Sequence, residues 1–110
     1  MDAGKLKDRL RFDQRELDAN GDRLGEWVEG FTVWANIEYL RGTESAVNQR
    51  LQGNQPVVIT IRESNRAKTI DASFRAVDVR TQAIYNVKAA APGRDAGDIS
   101  IVGLSGPAEG

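Results

Sequence analysis

Apolar and polar positions alternate along most of this chain with the two-residue period of a β-strand. Over residues 5–15, Leu6, Leu10 and Phe12 hold even positions while Lys5, Lys7, Arg9 and Arg11 hold odd ones. Extended, this segment is a strand with an apolar face and a basic stripe. The four-residue spacing of Leu6 and Leu10 also fits a helix, but Phe12 falls off its face. Residues 18–25 (DANGDRLG) read as a turn, because Asn20-Gly21 accepts positive φ at low cost. Residues 27–40 form a second long strand, with Val33, Ala35, Ile37 and Tyr39 on one face. Trp34 lies on the other face, so both sides are expected to be partly covered.

The alternation breaks at Arg41-Gly42. A short helix is expected over residues 43–52, with Thr43 as N-cap, Glu44 near the positive dipole end and Gly53 as its stop. Its packing stripe is only Ala46, Val47, Arg50 and Leu51, which leaves it marginal in isolation. Pro56 opens the next strand, residues 57–63, with Val57, Ile59 and Ile61 on one face. Residues 74–80 and 83–89 make a hairpin around Thr81-Gln82. Neither turn residue readily takes positive φ, which leaves its register open. By composition, residues 90–98 (AAPGRDAGD) read as a flexible loop and residues 99–104 as the last strand. One domain over residues 1–104 is expected, followed by a frayed tail at 105–110.

Composition limits the chemistry. With 110 residues, the chain can bury about 65% of its unfolded surface in one modest core. Its 15 basic and 16 acidic residues give a net charge of −1 and no general pull toward nucleic acid or anionic membrane. The 11 Arg against 4 Lys favour interface chemistry, since a guanidinium binds carboxylates with two bonds and stacks on rings. A genomic Arg bias would give the same count. Cys and His are both absent, which removes disulfides, thiol nucleophiles, Cys/His zinc sites and imidazole bases. The first twelve residues contain no apolar signal core, and no apolar run is long enough to span a bilayer. The chain is expected to stay where it is made.

Several patterns imitate functional sites. Asp18, Asn20, Asp22 and Glu29 match positions 1, 3, 5 and 12 of a calcium loop, but Arg23 replaces the required Gly and the flanks read as strands. Gly21, Gly25 and Gly30 precede neither a GK[ST] sequence nor a helix, so they make no phosphate loop. The pairs Glu38 with Glu44 and Asp95 with Asp98 have nothing nearby to separate their pKa values for acid–base work. No catalytic, cofactor-binding or metal-binding residue is assigned, and no enzyme activity is expected. The basic stripe Lys5, Lys7, Arg9 and Arg11 could meet phosphate or an acidic partner, or it could be a solvated face that deters edge pairing. Trp27, Phe31 and Trp34 could anchor an interface or fill the core.

In their order and spacing, these segments resemble the phage head–tail joining family (head completion, stopper or head–tail adaptor proteins), in the version shared with gene transfer agents. The resemblance runs over about residues 4–104. It is carried by Gly4 and Leu6 before the basic strand, Gly25, and then Phe31-Thr32-Val33-Trp34-Ala35. Leu40-Arg41-Gly42 with Glu44 follows, then Arg50-Leu51-Gln52-Gly53, Gln55-Pro56-Val57-Val58-Ile59 and Ile61-Arg62. Phe74-Arg75-Ala76-Val77-Asp78 and Ile84-Tyr85-Asn86-Val87 complete it, and residues 99–104 match least.

The resemblance implies a mainly β protein: a small antiparallel β-barrel with one short helix in a long connection. It also implies a structural head–tail connector in the virion, made in the host bacterial cytoplasm. Copies would form a ring below the portal that closes the DNA-filled head, with portal or adaptor protein on one side and tail terminator or tail proteins on the other. Packaged double-stranded DNA would pass through the channel, without cofactor or membrane. Six- and twelve-fold rings both fit the family. The connection over residues 42–56 is then a candidate mobile contact region, with Arg41, Glu44, Arg50 and Gln52 as its polar contacts, or an ordinary surface helix over one barrel end. Near-zero net charge suits a conduit, since many phosphate contacts would impede DNA passage. The alternative function is a small barrel that binds single-stranded nucleic acid on an aromatic and Arg platform, although Phe12, Phe31, Tyr39 and Tyr85 follow no known RNA-binding pattern.

Overall fold

The computed structural model describes residues 6–17, 20, 23–40, 54–93 and 96–105. Six strands form within them: β1 (Asp8–Leu17), β2 (Arg23–Tyr39), β3 (Gln55–Arg62), β4 (Phe74–Asp78), β5 (Ile84–Pro92) and β6 (Asp98–Ser105). All neighbouring pairs are antiparallel, and they close into a barrel in the order β1-β2-β3-β6-β5-β4. The expected antiparallel barrel is the one observed. Alternation decides which side chains face inward: Leu10 and Phe12 from β1, Ala35 from β2, Val57, Ile59 and Ile61 from β3 and Ile101 from β6 are fully buried. Each large aliphatic or aromatic side chain so buried contributes roughly 1.5–3 kcal/mol.

The strand order explains the one region without a clear sequence pattern. β3 and β4 are not neighbours in the barrel, so residues 63–73 must cross its mouth to connect them. A 3-10 turn at Ala67–Thr69 makes the crossing and buries Ala67 and Ile70 against the core. Ser64 caps this turn by accepting a bond from Ala67 N–H (3.0 Å). Among the described residues this turn is the only helical element, and it lies in a different connection from the helix expected at 43–52. That expected helix lies outside the described residues.

Two local readings are corrected, and a third, the hairpin, holds. Residues 90–98 are not all loop: Ala90, Ala91 and Pro92 belong to β5 and pair with Ile101, Ser100 and Ile99. Pro92 is tolerated at the last strand position, where it need not donate to the ladder. Arg23, Leu24 and Gly25, read as the end of a turn over residues 18–25, belong to β2, which starts at Arg23. The β4–β5 hairpin forms despite its turn residues. Gln82 takes φ +66°, and the buried Asp78 carboxylate holds the turn by accepting bonds from Arg80 N–H (2.8 Å) and Thr81 N–H (3.1 Å). Those bonds offset the strain of a non-Gly residue in the left-handed region.

A bulge between Phe12 and Asp13 shifts the β1–β2 register, so that Phe12 faces Phe31 and Asp13 faces Glu29. Gly30 is the extra residue. A Cβ there would lie 2.6 Å from the Phe12 carbonyl oxygen, so the close approach of the two backbones requires glycine. Beside it, Phe12 and Phe31 stack with ring centroids 5.6 Å apart.

Candidate interaction surface

The outward positions of β1 do not form a row of solvated charges. Arg9 lies opposite Trp34 in the register, with its guanidinium 4.9 Å from the indole centre. Two residues on, Arg11 donates from Nε and Nη2 to the Asp13 carboxylate (2.8 and 3.2 Å), and its Nη1 lies 3.5 Å from Glu29. Arg75, the β4 neighbour of Asp13, donates from Nε to the other side of that carboxylate (3.0 Å). Arg75 also covers one tryptophan, 4.5 Å from the Trp27 ring, and Arg15 lies 5.3 Å from the same ring. Asp13 is only 1% exposed although it faces outward, because these guanidinium groups cover it. Its hydrogen bonds and charge hold the Arg11 pKa above the ordinary arginine value, against the opposing effect of burial.

This band across β4, β1 and β2 carries four arginines against two carboxylates, with two indoles laid flat among them. Cation–π contacts of this kind contribute about 0.5–1 kcal/mol at exposed sites and more when desolvated. Trp34 keeps 52% of its surface exposed, so a partner can still cover it. The band is therefore a preorganised surface suited to a protein neighbour. Each indole already carries guanidinium, Arg9 on Trp34 and Arg15 and Arg75 on Trp27, which leaves less ring surface for stacking on bases.

The residues picked from sequence are only partly brought together. Arg9 and Arg11 sit in the band, Lys7 is exposed beyond it, and Lys5 lies outside the described residues. Arg41, Glu44, Arg50 and Gln52 also lie outside them. Trp27 and Trp34 take outward roles, while Phe31 packs against the core. Neither carboxylate pair is assembled among the described residues, because Glu44 and Asp95 fall outside them; Asp98 is buried at the start of β6. The calcium register has only Asn20 and Glu29 among the described residues, and Glu29 is committed to Arg11. Among the described residues no cluster of three metal-ligating side chains occurs and no helix is long and apolar enough to cross a membrane.

Sequence reading missed Asp13, Arg15 and Arg75 as members of the band. Asp13 and Arg15 share the parity of Arg9 and Arg11, so the period alone could have found them. Arg75 could not be found that way, because only barrel closure brings β4 beside β1.

Two further features mark the barrel ends. At the end crossed by residues 63–73, a cleft of about 740 Å³ lies between the β1–β2 hairpin and the 3-10 turn, lined by Gln14, Val28, Phe31, Arg66 and Phe74. Val28 is 67% exposed there. At the opposite end, the buried Tyr85 hydroxyl meets that of Tyr39 at 3.0 Å. Burial, and then this hydrogen bond, raise the Tyr85 pKa well above its ordinary value.

Comparison with known proteins agrees with this architecture. The family model for phage head completion protein matches residues 1–101. No curated protein matches the chain. The solution structure of protein SF1141 from Shigella flexneri 2a is similar, with 22% identity and a TM-score of 0.64, covering 99% of this chain and 100% of that one. A chain in the virion of a native gene transfer agent particle is similar with 22% identity and a TM-score of 0.65, covering 92% of this chain and 94% of that one. At that identity the two structures speak to the shared fold. The family model, matched over nearly the whole length, goes further: this chain belongs to the phage head completion protein family.

Proposed function

We propose that this protein is a head–tail connector of stopper or adaptor type in a tailed phage or gene transfer agent. Its copies form a ring below the portal that closes the DNA-filled head and receives the tail. The observation that carries this reading is membership of the head completion family over residues 1–101. The surface supports it, because a barrel that lays tryptophans flat under arginines on its outer wall is built to be covered by other protein. The neighbours are further copies, portal or adaptor protein on the head side, and tail terminator or tail proteins on the other. DNA passes through the channel without being gripped, and the connection over residues 42–56, with Arg41, Glu44, Arg50 and Gln52, is the contact region reaching the channel or the next subunit.

Deletion of the gene tests this directly. Heads are expected to package DNA, fail to retain it and remain tailless by electron microscopy, with the chain restoring both when supplied in trans. Heads that stay sealed and tailed after deletion would refute the connector role. Tight single-strand binding by the purified protein, with a steep salt dependence, would instead support a nucleic-acid-binding barrel.

A further inference from the structure

One stretch of the outer wall keeps positive charge that no ion pair among the described residues neutralises. Arg9, Trp34 and Arg62 are exposed on three adjacent strands, while their chain neighbours Leu10, Ala35 and Ile61 are buried. Arg9 lies opposite Trp34, and Arg62 stands one step past the pair Ala35 and Ile61, which sets it beside Trp34. Together with Leu6, Val33 and Ser64, these three line a cleft of about 610 Å³. Elsewhere on the wall the cations are answered: Arg11 and Arg75 meet Asp13, and Lys68 meets Glu63 at 2.9 Å. Arg9 and Arg62 have no carboxylate partner among the described residues. Asp98, opposite Arg62 on β6, is buried and already engaged. Glu38 stands four residues along β2 from Trp34, about 13 Å away at strand spacing.

We propose that this cleft docks an acidic segment of another protein of the particle, in which an aspartate or glutamate lies beside an apolar side chain. This rests on the connector reading and names the chemistry of one of its neighbours. The indole contact holds the Arg9 guanidinium in place. A guanidinium stacked on a ring keeps its in-plane N–H donors available, and that fork meets a carboxylate with two parallel bonds. Arg62 supplies a second fork on the other side of Trp34, so the cleft presents two donors for one acidic segment. Trp34 is 52% exposed, and Leu6 and Val33 extend its apolar surface. An apolar side chain of a polypeptide covers that surface, whereas a phosphate backbone would leave it wet. Duplex affinity grows with the number of phosphates neutralised, and two uncompensated guanidinium groups supply little of it. Charge and apolar surface together therefore select a polypeptide that carries a carboxylate. An Arg and a Trp side by side are also the residue types that dominate binding energy at protein interfaces.

A carbodiimide joins an amine to a carboxylate only when the two touch, and it does not couple amines to internal phosphodiesters. The test is therefore Arg9→Lys and, separately, Arg62→Lys, which keep the positive charge at exposed positions and leave the core intact. Each is expressed as the full chain in producing cells, and purified particles are treated with carbodiimide and analysed by mass spectrometry. The control is Arg66→Lys, at an exposed position on the crossing that does not line this cleft. At least one of the two variants is expected to link position 9 or 62 to an Asp or Glu of a different particle protein, next to an apolar residue. The expected yield is about ten-fold above the control. Links only to other copies of this chain, or no link above the control from either variant, overturn the docking site and leave the connector reading intact. Absence of the wild-type protein from purified particles overturns the connector reading and the docking site with it.

Discussion

Asp13 faces outward yet is almost completely covered, because Arg11 and Arg75 close over it from two strands. Removing one partner of a covered ion pair costs more than the pair itself contributes, since the remaining charges lose their compensation. The two arginines keep partial access to water, which moderates the loss. Asp13→Ala is expected to lower stability by about 2 kcal/mol, seen as a reduced urea midpoint at an unchanged slope. Tyr85 behaves differently because its neutral form is the one favoured by burial. The folded protein keeps the phenol proton where the unfolded chain, near pH 10, gives it up. The Tyr85 contribution is therefore complete below that pH and declines as pH rises above it. Tyr85→Phe should cost about 1 kcal/mol at neutral pH, through the lost bond to Tyr39, and should flatten the decline in melting temperature between pH 9 and 11.

At the scale of elements, the bulge in β2 and the glycine that forms it act together. The bulge sets Asp13 against Glu29 in place of Gly30 and brings the two backbones close. A methyl group at Gly30 would meet the Phe12 carbonyl, so Gly30→Ala is expected to destabilise by about 1–3 kcal/mol, measurable by thermal melting. The β4–β5 hairpin shows a complementary case. Thr81-Gln82 is a poor turn by residue type, yet Asp78 supplies two side-chain bonds that fix it. Turn propensity counts only the turn residues themselves, and so it overlooks a cap placed at the preceding strand end. Residues 90–92 were misjudged for the same reason: Ala-Ala-Pro is weak strand material, and pairing with the strongly apolar β6 overrides it.

The whole molecule depends on how its ends are closed. The crossing from β3 to β4 looks like an unremarkable polar loop, but topology makes it the cover of one barrel mouth. Ile70 sits in that cover and belongs to the core cluster. Ile70→Ala is accordingly expected to cost about 2–4 kcal/mol, as for a strand core position and unlike a surface loop, and chemical denaturation will show which. At this scale the outer wall is distinguished by the cation–aromatic band centred on β1, while residues 63–73 run beside β2 and β5 to close the mouth.

The alternating period alone determined where the strands lie and which side chains face inward, because a pleated strand sends successive residues to opposite faces whatever it later pairs with. Leu10, Phe12, Ala35, Ile59 and Ile61 were legible on that basis. The missing Cys and His narrowed the available chemistry before any fold was known, and the order of short motifs was enough to indicate the family. Strand order lay beyond such reading, since pairing is a long-range choice that local pattern does not encode. Only the closed barrel set Arg75 beside Asp13 and over Trp27, and made residues 63–73 a lid.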